Sequence, residues 1–241
     1  MRLIVFTDVH ANLPALEAAL DSIHQHGYDL LVHAGDAIGI GPFPAECVDR
    51  LLSLPNAHLL MGNHDAWFAQ GLPEPQPAWM SDGEVLHQQW THAQLNPGLK
   101  HVVAQWDYVL SETVEQVAIS FMHYPLTERQ EFISVIREPT AADLDQAFAP
   151  YPGEIIFYGH HHPASDIQGR ARYINPGSLG CARTSVARYS IVDIKNDQYS
   201  VEHKAIPYDD VELFKEFETR DVPERSFIYK AFFGGRFEGS A

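Results

Sequence analysis

The sequence predicts an α/β fold that gathers polar residues along one rim of a sheet. Two observations carry that expectation. Hydrophobic runs alternate with helix-spaced runs through the first half of the 241-residue chain. Five short polar motifs also each follow a strand-like run: Asp8-Val9-His10, Gly35-Asp36, Gly62-Asn63-His64-Asp65, His123 and Gly159-His160-His161-His162. In open α/β sheets ligands bind beyond the carboxyl ends of the strands, so residues far apart in sequence meet at one edge.

Leu3-Ile4-Val5-Phe6 reads as the first strand. Leu13, Leu16, Ala19, Leu20 and Ile23 then recur at helical spacing. Asn12 is a suitable N-cap, Pro14 suits the first turn, and Gly27 can close the helix. Residues 30–33 read as a second strand, 45–54 as a helix stopped near Pro55, and 58–61 as a third strand ending at Gly62. This β-α-β-α-β order implies a parallel sheet.

Residues 71–106 break the pattern. Pro73, Pro75 and Pro77 open a loop, and a helix follows through Val85, Leu86, Gln89 and Trp90. All four tryptophans (Trp67, Trp79, Trp90, Trp106) lie between 67 and 106. The segment reads as a helical insertion or cap, its tryptophans serving the core, a lid or a base-stacking surface. The second half is richer in strands, at 108–110, 117–121, 155–158, 172–174, 189–194 and 199–205, with a turn at Asn196-Asp197. Residues 141–148 and 210–219 read as helices. The C-terminal helix and tail at 209–241 carry Phe227, Tyr229, Phe232, Phe233 and Phe237, which pack on the body or on a second copy. A single domain spanning 1–241, able to form a homodimer, is the expected organisation.

Composition narrows the partners. The net charge of -16 repels nucleic-acid polymers and anionic membranes. A phosphorylated substrate therefore needs local positive charge, which bound divalent metals supply. The stretch from Arg170 to Arg188 holds four arginines and no acid; they are exposed surface groups or a phosphate-facing edge. No apolar run reaches membrane-spanning length, no signal peptide is visible, and the two cysteines (Cys47, Cys181) form no disulfide framework. The expected location is the cytoplasm.

Asp8 and His10 are two apart, as are His160 and His162. In an extended segment such pairs point the same way and can chelate one ion. Asp36 follows Gly35, and a carboxylate can bridge two cations. Mixed Asp, Asn and His ligation favours Mn, Fe, Zn, Co or Ni over Mg or Ca.

A lone Asp-x-His is weak evidence, but the ordered set is not. With the stretch 8–18, Gly39-Ile40-Gly41-Pro42, Glu46-Cys47-Val48 and Ile174-Asn175-Pro176-Gly177-Ser178-Leu179-Gly180, it resembles the calcineurin-like metallophosphoesterase superfamily. The finer likeness is to the YfcE-like phosphodiesterases and their diadenosine-tetraphosphatase relatives. It runs from residue 1 to about residue 195. It departs from the family at Ala11, where Gly is common, and at Tyr124-Pro125 after His123.

The resemblance implies a four-layer αββα sandwich of two mixed β-sheets flanked by helices. It also implies two divalent transition-metal ions, with manganese the expected activating ion. One would be held by Asp8, His10, Asp36 and His162, the other by Asp36, Asn63, His123 and His160. His64 would protonate the leaving oxygen or stabilise the phosphoryl group, oriented by Asp65. Asn12 would orient a phosphate oxygen, Tyr124 would line the pocket, and Arg183 would contact the substrate beyond. The expected activity is phosphoesterase, by metal-activated hydroxide attack on a small phosphodiester, phosphomonoester or nucleotide polyphosphate. The alternatives are a protein Ser/Thr phosphatase, a hydrolase of another bond, and a non-catalytic scaffold such as the retromer subunit that shares this fold.

Overall fold

The computed structural model describes residues 1–237. β1 (Arg2–Phe6), α1 (Leu13–His26), β2 (Leu30–His33), α2 (Pro44–Leu52) and β3 (Ala57–Leu59) form the expected alternating run. β1, β2 and β3 pair in parallel. Asn12 caps α1 by accepting from the Ala15 N–H, and Gly27 ends it at φ 65°. The hairpin of β9 (Val186–Lys195) and β10 (Gln198–Pro207) completes this sheet in the order β10-β9-β1-β2-β3. Asn196 and Asp197 make its turn at φ 52° and 60°, which suits a two-residue hairpin loop.

The second sheet holds β4 (Val109–Val114), β5 (Val117–Met122), β6 (Ile155–Phe157), β7 (Ser165–Gln168) and β8 (Arg172–Asn175). Its order is β4-β5-β6-β8-β7, with β5, β6 and β8 parallel and β4 and β7 antiparallel at the edges.

Strand alternation makes the layers. Leu3 and Val5 of β1 meet Ile119, Phe121, Ile155 and Phe157 in the apolar seam between the sheets. Ile4 and Phe6 of the same strand point the other way, toward Leu16 and Leu20 of α1. On the outer face of the second sheet Ile156, Tyr158 and Tyr173 cover Leu144 of α6 (Ala141–Ala147) and Phe148. Each such buried side chain stabilises by roughly 1.5–3 kcal/mol relative to exposure. The result is the expected αββα sandwich.

Between β3 and β4 lie α3 (Asn63–Gln70), α4 (Asp82–Ala93) and α5 (Leu99–Val103). Sequence periodicity does not reveal α3, because its first turn consists of the polar motif residues. Nor does it reveal β7, whose Ser165-Asp166-Ile167-Gln168 contains one apolar residue. α7 (Val211–Thr219) and α8 (Arg225–Phe233) lie against the first sheet's outer layer, where Phe214, Phe217, Tyr229 and Phe233 are buried. The aromatic tail thus packs on the chain's own body, with Phe237 stacked on Phe214 at 4.0 Å. The last residues of the expected tail, 238–241, lie outside the described ones. Among the described residues no helix is long and apolar enough to cross a membrane.

Candidate metal centre

The five polar motifs follow β1, β2, β3, β5 and β6, so both sheets deliver them to one rim. Backbone hydrogen bonds zip the loops together. Asp8, His10 and Ala11 N–H groups donate to Gly35, Asp36 and Ala37 carbonyls at 2.9–3.0 Å. The loop after β8 crosses to β1, where Gly180 N–H and Ser178 Oγ both donate to the Asp8 carbonyl at 2.9 Å.

This zipping changes how the ligand pairs converge. Asp8, His10, Asp36, His160 and His162 all lie in the left-handed region, with φ of 55°, 49°, 58°, 66° and 58°. The extended geometry expected for Asp8/His10 and His160/His162 is therefore wrong. Tight left-handed turns bring these side chains together instead, each at a cost of order 1 kcal/mol or more.

Two clusters of lone pairs result. In the first, His10 Nε2 lies 2.9 Å from His162 Nε2, and Asp8 Oδ1 lies 3.5 and 3.6 Å from the same two nitrogens. In the second, one terminal amide atom of Asn63 lies 3.3 Å from Asp36 Oδ2, 3.3 Å from His123 Nε2 and 3.0 Å from His160 Nδ1. Asp36 Oδ2 joins the clusters, at 3.7 Å from His10 Nε2 and 3.2 Å from His123 Nε2.

The donor set fits divalent transition ions. His10 and His123 each direct Nδ1 at a backbone carbonyl, of Ile38 at 3.2 Å and Ala34 at 2.9 Å. Those contacts place the protons on Nδ1 and leave the Nε2 lone pairs facing carboxylates, so acceptor faces acceptor until a cation enters. The electrostatics agree. Burial favours a neutral His123, yet the charge of Asp36 and its hydrogen bond raise it to about 9. Burial likewise favours a protonated Asp36, but His123 and its neighbours hold its carboxyl well below the usual range.

His64 opens α3 beside this array, its N–H donating to Asp36 Oδ1 at 3.0 Å. Its ring meets His10 edge-on at 5.2 Å. A Cβ on Gly39 would collide with the ring, so glycine is required for this approach. Burial lowers His64 to about 3, so the imidazole is neutral.

Several expected roles change. Asp65 does not orient His64; as the third residue of α3 it folds back and accepts from Gly62 N–H at 3.0 Å, Asp36 N–H at 2.7 Å and Ala37 N–H at 3.1 Å. The partner of His64 is Gln88 of α4, whose Nε2 lies 2.7 Å from His64 Nδ1. Asn12 has no free group for phosphate, because its amide caps α1 and donates to the Gly180 carbonyl at 2.7 Å and to Tyr208 Oη at 3.0 Å. Tyr124 lines no pocket mouth. It is buried among Phe148, Tyr158 and His160, with its hydroxyl accepting from Ile136 N–H at 3.0 Å. Arg183 is exposed, its side chain running beside Gly234. Arg170 and Arg172 form no phosphate-facing edge: one donates to Phe148 and Tyr151 carbonyls, the other pairs with Asp166 at 2.7 Å.

Two residues enter that sequence reasoning missed. Gln88 had a faint signal, as a polar residue in a helix whose neighbours were read as packing. Cys181, directly after the Asn175–Gly180 stretch, groups with His10 and His162, their ligand atoms all within 4.8 Å of one another.

Carboxylate, amide and imidazole donors at the strand ends of a two-sheet sandwich suit a metal-dependent hydrolase, and the family match makes it a phosphohydrolase. The sequence model of the calcineurin-like phosphoesterase superfamily domain matches residues 1–197. The chain belongs to that superfamily. It is 26% identical to an uncharacterized protein of Methanocaldococcus jannaschii, over 91% of this chain and 93% of that one. It is 24% identical to the phosphodiesterase YfcE of Escherichia coli K12, over 83% and 91%. Among solved structures, a hypothetical protein of Pyrococcus horikoshii superposes with TM-score 0.77 at 19% identity, covering 97% of this chain and 98% of that one. A metallophosphoesterase of Sphaerobacter thermophilus superposes with TM-score 0.71 at 23% identity, covering 95% and 96%.

Proposed function

We propose that the protein is a dinuclear-metal phosphodiesterase acting on a small phosphodiester. The observation that carries this reading is the pair of lone-pair clusters sharing Asp36. Asp8, His10, Asp36 and His162 would hold one ion, and Asp36, Asn63, His123 and His160 the other. Such a pair, when bound, supplies the charge that clamps a phosphoryl group and the activated water that attacks it.

The remaining chemistry belongs to the chain. Gln88 donates to His64 Nδ1, which puts the imidazole proton on Nε2. A neutral His64 then stabilises a phosphoryl oxygen by hydrogen bonding rather than by giving up a proton. Asp65 fixes the turn carrying Asn63 and His64, and Tyr124 supports the ring of His160. Arg183, exposed beside Gly234, would contact the substrate beyond the phosphoryl group.

The similarity to YfcE favours a diester over a phosphoprotein. The intact ligand set favours an enzyme over a scaffold. Manganese is the ion we expect to give the fastest turnover, in a cytoplasmic protein able to dimerise. The test is turnover of bis-p-nitrophenyl phosphate by protein loaded in turn with Mn, Ni, Zn and Mg, beside metal analysis. Two equivalents bound with hydrolysis supports the reading. A metal-loaded protein inert toward diesters, monoesters, cyclic nucleotides and dinucleoside polyphosphates would end it.

A further inference from the structure

Resting on that reading, we propose that the entrance to the centre is a binding site for flat ester arms, so that the preferred diester carries an aryl or nucleobase group. Two chains of aromatic rings lead outward from it. The His10 ring touches both His64, at 5.2 Å, and His162, at 4.8 Å. From His64 the path continues to Trp67, edge-on at 4.9 Å, and then to Trp79, stacked on Trp67 at 6.1 Å and 27°. From His162 it continues to Phe232 at 5.6 Å and then to Phe227 at 6.4 Å.

Exposure rises along both paths. His64 is 9% exposed, Trp67 half-buried and Trp79 65% exposed. The His162 side chain is 21% exposed, Phe232 half-buried and Phe227 60% exposed. Each path ends in a large ring open to solvent, where an arriving ligand can meet it.

The two walls belong to one unit. His87 of α4 accepts from Ile40 N–H at 2.9 Å through Nε2 and donates to the Pro223 carbonyl at 3.2 Å through Nδ1. Gly83, near the start of α4, abuts the Glu224 side chain just before α8. Trp79 lies three residues before the start of α4 and Phe227 lies in the first turn of α8, so the staple sets one wall relative to the other.

Aromatic faces accept any planar π system and offer nothing to a bare phosphate. A polyphosphate arm would instead need cations. The arginines of the C-terminal region are already committed to acids: Arg220 to Glu46 and Glu216, Arg225 to Glu218 and Asp221, and Arg236 to Asp210. Those three arginines are thus spent on acids, and the rings are what the entrance offers, which suits a flat arm.

The test is calorimetric binding of phosphonates, whose C–P bond resists hydrolysis, to full-length manganese-loaded protein. Methylphosphonate carries no ring, phenylphosphonate an aryl group, and adenosine 5′-phosphonate a base. At least one ringed ligand is expected to bind about tenfold or more tightly than methylphosphonate, as stacking contributes elsewhere. Preference for phenyl alone identifies an aryl arm, and preference for both extends the site to nucleobases. Trp79→Ala and Phe227→Ala, both at exposed positions, should remove most of the preference while leaving methylphosphonate affinity and Tm unchanged. Equal affinity for all three ligands in the natural protein overturns the proposal, as does a preference that survives both substitutions. Failure of the phosphoesterase reading looks different: no ester is cleaved, yet the preference for rings remains.

Discussion

The metal centre and its entrance contrast in almost every physical respect. Asp8, His10, Asp36 and His123 are buried behind strand ends, with their carboxylate oxygens and imidazole nitrogens turned toward one another. Trp79 and Phe227 stand in solvent on a proline-rich loop and on the first turn of a terminal helix. The centre is fixed by hydrogen bonds between loops of two sheets. The entrance is fixed by ring contacts and one histidine staple. Reaction type is therefore set where geometry is over-determined, and substrate choice where one side chain can change without unfolding anything.

The largest test of this division is at the centre. Asp36→Asn weakens the only carboxylate common to both clusters, and should cut turnover by more than about a thousandfold together with metal content. His64→Ala should cost about a hundred- to a thousandfold in kcat, the scale of one lost phosphoryl-oxygen donor, with both metals retained by elemental analysis. Full activity in that variant would falsify the role given to His64. Gly39→Ala should push the same ring aside, lowering kcat by about tenfold or more while KM moves little.

Acid tests the staple. Burial depresses His87 from 6.5 to about 4, so its contribution is complete above about pH 6.5 and is lost as pH falls through about 4. Denaturant titrations at pH 7 and pH 4 should differ by up to about 3 kcal/mol from this group alone, and His87→Gln should shrink the difference. The smallest effect is expected at Arg183. Arg183→Ala should change KM by less than about fivefold, as befits an exposed charge. A larger change would extend the substrate site past the aromatic walls.

Much of the candidate centre was legible in the sequence because each proposed ligand sits where a hydrophobic run stops. Leu3-Ile4-Val5-Phe6 before Asp8 and Ile155-Ile156-Phe157 before His160 are strands by composition, and the fold carries their ends to one rim. The way those ends turn was not legible. Left-handed backbone at Asp8, His10, His160 and His162 arises from hydrogen bonds between loops distant in sequence, so local preference gives no warning. Gln88 and Cys181 escaped for the same reason, since each gains its meaning only from a neighbour brought by the fold. Asn12 and Tyr124 erred in the other direction: motif proximity suggested substrate contact, while capping and core packing had already used their polar atoms.

The superfamily match ends at residue 197, in the turn between β9 and β10. The helix that bears Phe227 and Phe232 comes after it. One proposed wall of the entrance thus lies outside the matched family domain, held by the buried Phe214, Phe217, Tyr229 and Phe233 and by the His87–Pro223 hydrogen bond. Two related chains that differ after residue 207 would share the proposed ligand positions while differing in this wall. Exchanging residues 208–237 between two such chains should transfer preference without transferring chemistry.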